Sequence, residues 1–235
     1  MLLKSIIPVY KMKQGIIFLF TVLLIKITGA QQTSFKFDFG TTLTAKGFIA
    51  VTPETIYSNQ TGYGFAPGSD VVAVNRGGDL LSGDFITSVK PFFFSVKLPE
   101  GNYDIKILLG DSKGISATTV RAECRRLMLE NIRTTKGKII TKKFTVHVKD
   151  SLIRDKEGTV VNKVKLKERE ILYLHWDNRL TLEFNDSLPK VCGLEITPNK
   201  KATTIFLAGN STVVDQDREP WAAWGQIFPR FIVPE

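Results

Sequence analysis

Residues 92–109 read FFFSVKLPEGNYDIKILL, and the alternation of apolar residues in them is the main evidence for the fold class. On both sides of the turn at residues 99–102 the chain is apolar at every second position, as in half-buried β-strands whose side chains alternate between the two faces of a sheet. Similar runs, separated by turn residues, recur at 35–39, 117–129, 144–148, 171–176, 180–184 and 191–196. The pattern predicts a mainly β protein, an antiparallel sandwich or jelly roll, without a long helix inside residues 90–185.

The pattern changes after a polar linker at residues 198–201. Residues 203–208, TTIFLA, form a nearly continuous apolar run, which is typical of a parallel strand buried on both faces. Pro220 then opens a helical pattern, so a helix is predicted over 219–231. Its aromatic residues recur at helical spacing and are expected to face a core; they are Trp221, Trp224, Phe228 and Phe231.

The alternating pattern before the linker and the continuous apolar run after it predict two domains. Residues 31–199 are expected to form the sandwich, and residues 200–235 the first strand and helix of a truncated α/β domain. Because one strand and one helix cannot cover the apolar faces of such a sheet, residues 200–235 are expected to be mobile and prone to aggregation.

The first thirty residues have the composition of a secretory signal peptide. Basic residues precede an uncharged apolar stretch at 15–25, which is shorter than the ~20 residues of a transmembrane helix. Small residues end the segment at Ala30. We predict a signal peptide over 1–30, cleaved near Ala30, a secreted or periplasmic protein, and no stable membrane span after cleavage. An uncleaved amino-terminal anchor is the alternative.

The chain carries a formal net charge of +9 at pH 7. Many of its lysines lie at residues 136–143 and 163–167, without the interleaved aromatic residues that stack on bases, so no nucleic-acid partner is predicted. These stretches are either a solvated strand face and loop or a weak electrostatic guide toward an acidic polymer such as pectin.

The chain has only two cysteines and two histidines. This number excludes a cysteine-rich metal cluster or disulfide framework, and neither a metal nor a cofactor is predicted. Alternation places Cys124 and Cys192 on apolar strand faces, as free core thiols or as a disulfide pair. His147 is expected on the outer face of its strand and His175 inside another strand. Both are interpreted as structural or surface residues rather than as a catalytic base.

The turn Gly209-Asn210-Ser211-Thr212 directly follows the strand predicted at 203–208. At the carboxyl end of such a strand a serine hydroxyl is exposed, and neighbouring backbone N–H groups can face a developing oxyanion. Taken alone, the turn is weak evidence, because Ser and Thr also cap helices.

The wider sequence IFLAGNSTVV at residues 205–214, followed by EPW at 219–221 and WGQ at 224–226, resembles the first block of the SGNH (GDSL-like) hydrolases. Among these, the rhamnogalacturonan acetylesterases are the most similar. The resemblance implies that Ser211 is the nucleophile and that its backbone N–H is an oxyanion donor. Asn210 stands where the family usually has Asp, which keeps the hydrogen bonding but not the charge. The family's Asp-x-x-His pair would lie beyond residue 235, so an inactive chain is expected.

The preceding β region, with FDFG at 37–40, GYGF at 62–65 and GNYD at 101–104, is similar to a galactose-binding-like, malectin-like sandwich. Tyr57, Tyr63 and Phe65 lie in a polar, Gly-containing segment. They are candidates for stacking on sugars, with aromatic packing at the base of a loop as the alternative.

Together the two resemblances imply a carbohydrate esterase that removes acetyl groups from pectic polysaccharide (rhamnogalacturonan) by serine nucleophilic catalysis. Acetylated pectic polysaccharide is then the expected partner. A carbohydrate-binding module with a vestigial esterase segment is one alternative, and a non-catalytic cell-surface sandwich is another.

Overall fold

The computed structural model describes residues 31–41 and 43–232, which belong to one compact unit, Gln31–Glu235. The predicted signal peptide, residues 1–30, lies outside the described residues. In the described part the strands are, in chain order, β1 (Phe35–Phe39), β2 (Ile49–Val51), β3 (Tyr63–Phe65), β4 (Val72–Asn75), β5 (Asp84–Thr87), β6 (Phe92–Lys97), β7 (Gly101–Gly110), β8 (Ser116–Ala122), β9 (Arg126–Thr134), β10 (Ile139–Val148), β11 (Leu152–Arg154), β12 (Val160–Lys163), β13 (Arg179–Leu188) and β14 (Lys190–Pro198).

The strands form a two-layer sandwich. One sheet has seven strands, in the order β10-β7-β14-β1-β2 with β5 also paired to β14 and β4 paired to β5. The other has five strands, in the order β3-β6-β13-β8-β9, while β11 and β12 make a separate hairpin. Neighbouring strands are antiparallel except β1 and β2, which are parallel. The predicted mainly β sandwich is confirmed.

Phenylalanine rings fill the space between the two sheets. The ring of Phe94 on β6 makes edge contacts with Phe37, Phe39 and Phe65 at centroid distances of 5.1, 4.9 and 5.3 Å. All four side chains are fully buried, and each such burial contributes about 1.5–3 kcal/mol. Because side chains alternate along a strand, the strict period of residues 35–39 puts Phe37 and Phe39 together on the inner face of β1.

A buried ion network supports the edge of the core. The carboxylate of Asp111 is fully buried and accepts hydrogen bonds from Lys190 Nζ at 2.6 Å and from Arg76 Nε and Nη2 at 3.1 and 3.0 Å. Burial alone would raise the pKa of Asp111, but the hydrogen bonds from Arg76 and Lys190 lower it below its usual range. Asp111 is therefore ionised and is the counter-ion of a nearly buried lysine.

Two predictions for the sandwich need correction. The run 117–129 is not one strand, because the chain turns between β8 and β9, where Glu123 and Arg125 adopt positive φ angles of 56° and 60°. The prediction of a strand at 171–176 is wrong. That segment consists of turns after a 3-10 helix, Glu168–Glu170, and its Ile171 and Leu172 are 62% and 87% exposed. No strand of the described residues pairs with it, so its apolar residues have no sheet face to join.

The segment 200–232 also differs from prediction. Residues 203–208 have no ladder hydrogen bonds and are not assigned as a strand. The helix expected over 219–231 is a single turn, α1 (Trp224–Ile227), continued by a 3-10 helix, Phe228–Phe231. The aromatic stripe does not face a core; the exposed fractions are 65% for Trp221, 53% for Trp224, 38% for Phe228 and 67% for Phe231.

Candidate functional site

The turn that carries Ser211 is closed by Asn210. The backbone carbonyl of Asn210 accepts hydrogen bonds from the N–H groups of Val213 at 3.0 Å and Val214 at 3.2 Å. The Asn210 side-chain oxygen accepts from the N–H and hydroxyl of Thr212, at 3.0 and 2.7 Å. This use of an Asx side chain needs no charge, so the amide of Asn210 is sufficient to close the turn. Ser211 is exposed, and among the described residues its hydroxyl and its N–H have no hydrogen-bond partner.

Two glycines allow close packing around Val213, one within the turn and one between the turn and α1. A Cβ on Gly209 would lie 2.4 Å from Val213 Cγ2, and a Cβ on Gly225 would lie 2.2 Å from the Val213 carbonyl oxygen. The N–H of Trp224 donates to the Thr212 carbonyl at 3.0 Å. Both glycines thus have a steric cause. A side chain at Gly225 would push α1 away from the turn, and a side chain at Gly209 would collide with Val213 inside the turn.

Gln226 connects the Ser211 turn and α1 to the sandwich through hydrogen bonds. Its side chain is 1% exposed, and its Nε2 donates to the carbonyls of Cys124 at 2.7 Å and Gln216 at 2.8 Å. Nearby, Arg126 at the start of β9 holds Asp215 with contacts of 2.9 and 2.8 Å from Nε and Nη2. Residues 200–235 are expected from the sequence to be mobile, but their described part is held by the turn after β8 and the start of β9, which supply a matching polar surface.

Further ion pairs extend this contact. The Glu219 carboxylate lies 3.2 Å from Arg121 and 3.1 Å from Arg125, and Arg125 also donates to the Trp221 carbonyl at 3.0 Å. Hydrogen bonds from Arg121, together with the charges of Arg121 and Arg125, lower the pKa of Glu219. Glu219 is exposed, so these pairs orient the segment and contribute little to stability.

Neither histidine forms a hydrogen bond with Ser211. His147 Nδ1 lies 2.8 Å from the side-chain oxygen of Asn102. His175 lies in the turns after the 3-10 helix, not in the predicted strand, and its Nδ1 is 3.8 Å from Asp215. Burial lowers the pKa of both imidazoles, that of His175 to about 4, so both are neutral at pH 7. The described residues thus hold a candidate nucleophile without a base.

The candidate sugar-stacking residues do not form a platform. Phe65 is fully buried in the core, where no sugar reaches it. The half-buried ring of Tyr63 packs against Phe37 at a centroid distance of 5.1 Å. Tyr57 is half-exposed and lies under the guanidinium of Arg179 at 5.0 Å. The geometry of Tyr63 and Phe65 is that of core packing.

Two adjoining cavities lie between the sandwich and residues 202–232, and sequence reasoning missed them. They have volumes of about 260 and 480 Å³ and share Arg126, His147, Thr204 and Ile205 in their walls. Lys149 and Trp176 line the smaller one. The lining residues of the larger cavity run from Asn102 to Ile232, and no local period brings such distant positions together.

No group of three or more His, Cys, Asp or Glu residues with metal-binding geometry occurs in the part of the chain that the structure describes. One acidic pair is notable: Asp38 and Asp84 are 2% and 4% exposed, and each has one oxygen without a hydrogen-bond partner. Burial, with the nearby charges of Asp84 and Asp79, raises the pKa of Asp38 to about 6. Cys124 and Cys192 are buried and unpaired, and burial raises the pKa of each thiol to about 12.

Fold and site together define an antiparallel β-sandwich with a serine-bearing turn fastened to one side. Residues 35–159 match the family described as "Beta-agarase/YXIM esterase-like, galactose-binding domain-like", and the chain belongs to this family. The galactose-binding-like sandwich predicted by resemblance is thereby confirmed.

Two curated proteins show what the chain is similar to. The chain is 23% identical over 219 residues to the "Uncharacterized esterase YxiM" of Bacillus subtilis, a match that covers 88% of this chain and 49% of the relative. It is 30% identical over 124 residues to "Beta-agarase A" of Zobellia galactanivorans, covering 50% of this chain and 22% of the relative. The chain therefore spans about half of the first relative and less than a quarter of the second.

The crystal structure of the Bacillus subtilis YxiM protein has a similar fold. The match has a TM-score of 0.50 at 22% identity and covers 85% of this chain and 51% of that one. Among the described residues, no helix is long and apolar enough to cross a bilayer.

Proposed function

We propose that this chain belongs to a secreted or periplasmic carbohydrate esterase that removes acetyl groups from pectic polysaccharide, with Ser211 as the nucleophile. Residues 1–30 are its signal peptide, residues 31–199 its sandwich and residues 200–235 the opening segment of its SGNH-type esterase domain. The observation that carries the proposal is the turn at 209–213, in which Ser211 is exposed and the neighbouring backbone is closed by hydrogen bonds to Asn210. The similarity to an esterase over 88% of the chain supports the same assignment.

The proposed reaction is acyl transfer in two steps. The Ser211 oxygen attacks the acetyl carbonyl carbon, its proton passes to a base, and the sugar oxygen leaves as an alcohol after receiving that proton. Water then attacks the acetyl-serine, which releases acetate and restores the hydroxyl. The Ser211 N–H is free to face the oxyanion, whereas the Thr212 N–H is already bonded to Asn210. The described residues do not supply the base, so this role falls to the Asp-x-x-His pair of the proposed full esterase domain.

An acidic polysaccharide suits the charge of the protein. Without the four lysines of residues 1–30 the net charge of +9 falls to +5, and a positive field raises the local concentration of an anionic polymer. A carbohydrate-binding role is the second candidate, and the galactose-binding-like family of the sandwich favours it. A non-catalytic cell-surface sandwich is the third candidate, and it predicts no sugar binding and no hydrolysis.

The test compares two polypeptides on p-nitrophenyl acetate and acetylated pectin. Residues 31–235 should not hydrolyse either ester, because a serine without a base is a poor nucleophile. A polypeptide that continues past codon 235 through an Asp-x-x-His block should be active. Activity of residues 31–235 that is lost in Ser211→Ala but retained in His147→Ala and His175→Ala would show that a base has been missed. A longer polypeptide that binds pectin without hydrolysing it would favour the binding module.

A further inference from the structure

The smaller cavity between the sandwich and residues 204–232 contains a lysine without an acidic partner. Lys149 follows the last residue of β10, and its ammonium lies 4.3 Å from the ring centroid of Trp176 and 5.7 Å from that of Phe206. Among the described residues it forms neither a salt bridge nor a hydrogen bond. The Asp215 carboxylate also lines the cavity, but Arg126 holds it with two short contacts.

The surroundings of this ammonium disfavour its charge, although the Trp176 ring faces it. Burial and the charge of Arg126 lower the pKa of Lys149, and the charges of Asp215 and Glu100 only partly offset them. A carboxylate placed beside Nζ would replace the lost hydration with a charge-assisted hydrogen bond, which is stronger than one between neutral groups.

The rest of the wall suits the ring of a sugar. Phe206 is 70% exposed and stands edge-on to His147, at a centroid distance of 5.8 Å, so one face is available for stacking. The Asn102 side-chain nitrogen donates to the Ala202 carbonyl and its oxygen faces His147 Nδ1, so Nδ1 carries the proton. His147 Nε2 is then an acceptor, and it is buried without a partner among the described residues. The exposed face of Phe206 is therefore the part of this wall that suits a sugar ring.

We propose that this cavity binds an acidic sugar, with its carboxylate at Lys149 and its ring against Phe206. The larger cavity adjoins the smaller one through the same wall residues, so a neighbouring sugar of the same chain has room beside it. The volumes are of the order of known ligand pockets, about 300–1,000 Å³. The choice of a sugar rests on the proposed function, while the choice of an anion rests on Lys149 alone.

The test is a set of amide-resolved NMR titrations of the purified chain with sodium D-galacturonate, D-galactose and sodium acetate. D-Galacturonate should shift the amides around Lys149 and Phe206 and bind about ten-fold more tightly than either other probe, because it alone supplies both the charge and the ring. Lys149→Gln should weaken this binding about ten-fold or more. Phe206→Ala should weaken it about three-fold or more, and its exposed ring can be removed without opening the core.

The matched control is Lys143→Gln, since Lys143 is an exposed lysine on the same strand, β10, and should not change the affinity. Equal affinities for galactose and galacturonate, binding of acetate as tight as that of galacturonate, or wild-type affinity in Lys149→Gln would each overturn the proposal. Because no ester is present, binding is measured independently of catalysis. Esterase activity of the longer polypeptide without galacturonate binding by the chain refutes the acidic-sugar site alone. Galacturonate binding by the chain without esterase activity of the longer polypeptide refutes only the proposed function.

Discussion

Replacing Gln226 by alanine removes the side chain that fastens the serine-bearing segment to the sandwich. The wild-type amide donates to the carbonyls of Cys124 and Gln216 from a position that is 1% exposed. In Gln226→Ala the Cys124 carbonyl loses this donor, while the Gln216 carbonyl keeps the weaker contacts with Arg125 at 3.4 Å and with the Cys124 thiol at 3.7 Å. A cavity of side-chain size is also left behind.

The magnitude follows from the three lost hydrogen bonds, the third being the one that the Ala223 N–H donates to Gln226 Oε1 at 3.3 Å. A buried polar group left without its partner costs about 1–3 kcal/mol. Because the Gln216 carbonyl keeps weaker contacts and the bond from Ala223 is long, the total loss should be about 2–4 kcal/mol. The substitution should destabilise the Ser211 turn and α1 rather than the sandwich core. Local opening depends on the contacts of the part that opens, and Gln226 contacts only this part and the adjoining surface. At one factor of ten for each 1.4 kcal/mol, opening of the segment should become about 30-fold to 1,000-fold more frequent.

Hydrogen exchange resolved by residue measures this opening. The amides of Val213, Trp224 and Gln226 are hydrogen-bonded and report on the segment, and Ile107 in the middle of β7 reports on the sandwich. We expect the first three to be protected in the wild type and to exchange faster in Gln226→Ala, with no change at Ile107. Gln60→Ala, at an exposed glutamine, is the matched control. Wild-type exchange of all three at the rate of an unfolded peptide would refute the account of a fastened segment and restore the expectation of mobility.

Three further predictions concern the sandwich. Asp111→Ala should lower the free energy of unfolding by about 3–5 kcal/mol in urea titrations, because it leaves the Lys190 ammonium nearly buried without a counter-ion. Asp38→Asn should be more stable than the wild type at pH 7 by about 1–3 kcal/mol, and the difference should shrink as the pH falls through 6 to 4. Cys124 and Cys192 should react with a thiol reagent only after denaturation, giving two free thiols per chain.

The sign of the pH effect follows from the direction of the pKa shift. A folded-state pKa of about 6 lies above that of an unfolded aspartate, so the folded wild type takes up a proton first on acidification and loses stability as the pH rises through 6. The lowered pKa values of His147 and His175 act in the opposite direction below about pH 6.5. These histidine contributions are the same in the wild type and in Asp38→Asn. The difference between their free energies of unfolding therefore reports on Asp38 alone. A difference that stays constant from pH 4 to 7 would contradict the assignment.

The other two predictions have their own controls. Asp70→Ala removes an exposed carboxylate paired with Lys90 and should cost less than about 1 kcal/mol. A loss in Asp111→Ala no larger than that in Asp70→Ala would show that the buried network does not stabilise the fold. Fewer than two reactive thiols in denaturant without reductant would show that Cys124 and Cys192 pair after all.

The sandwich was predictable because its long strands carry their burial pattern in the local sequence. Residues 35–39 and 103–109 alternate strictly, and both lie in strands whose inner side chains fill the core. Strands of three or four residues, such as β2 and β4, are too short to show a period and were missed. Residues 171–176 show why the same signal fails elsewhere, since apolar residues form a strand only where a neighbouring strand offers a ladder.

The candidate site was predictable only in its local part. The turn around Ser211 depends on contacts among neighbours in sequence, and the residues that shape it, Gly209, Asn210 and Thr212, were all identified. The surface that holds the turn was not, because Gln226 reaches a carbonyl about a hundred residues away. Lys149 was missed for the same reason: its lack of an acidic partner is a property of the folded chain and leaves no mark on the sequence.

The most direct test of the account is acetate release from acetylated pectin by a polypeptide that continues past codon 235 through an Asp-x-x-His block, measured with and without Ser211→Ala. We expect the parent polypeptide to release acetate and Ser211→Ala to lower the rate at least about a thousand-fold, as removal of the nucleophile does in serine hydrolases. Thr212→Ala is the control, since it changes the same turn and leaves the Ser211 hydroxyl in place. Acetate release that survives in Ser211→Ala, or a parent polypeptide without activity, would contradict the assignment of Ser211 as the nucleophile of a carbohydrate esterase.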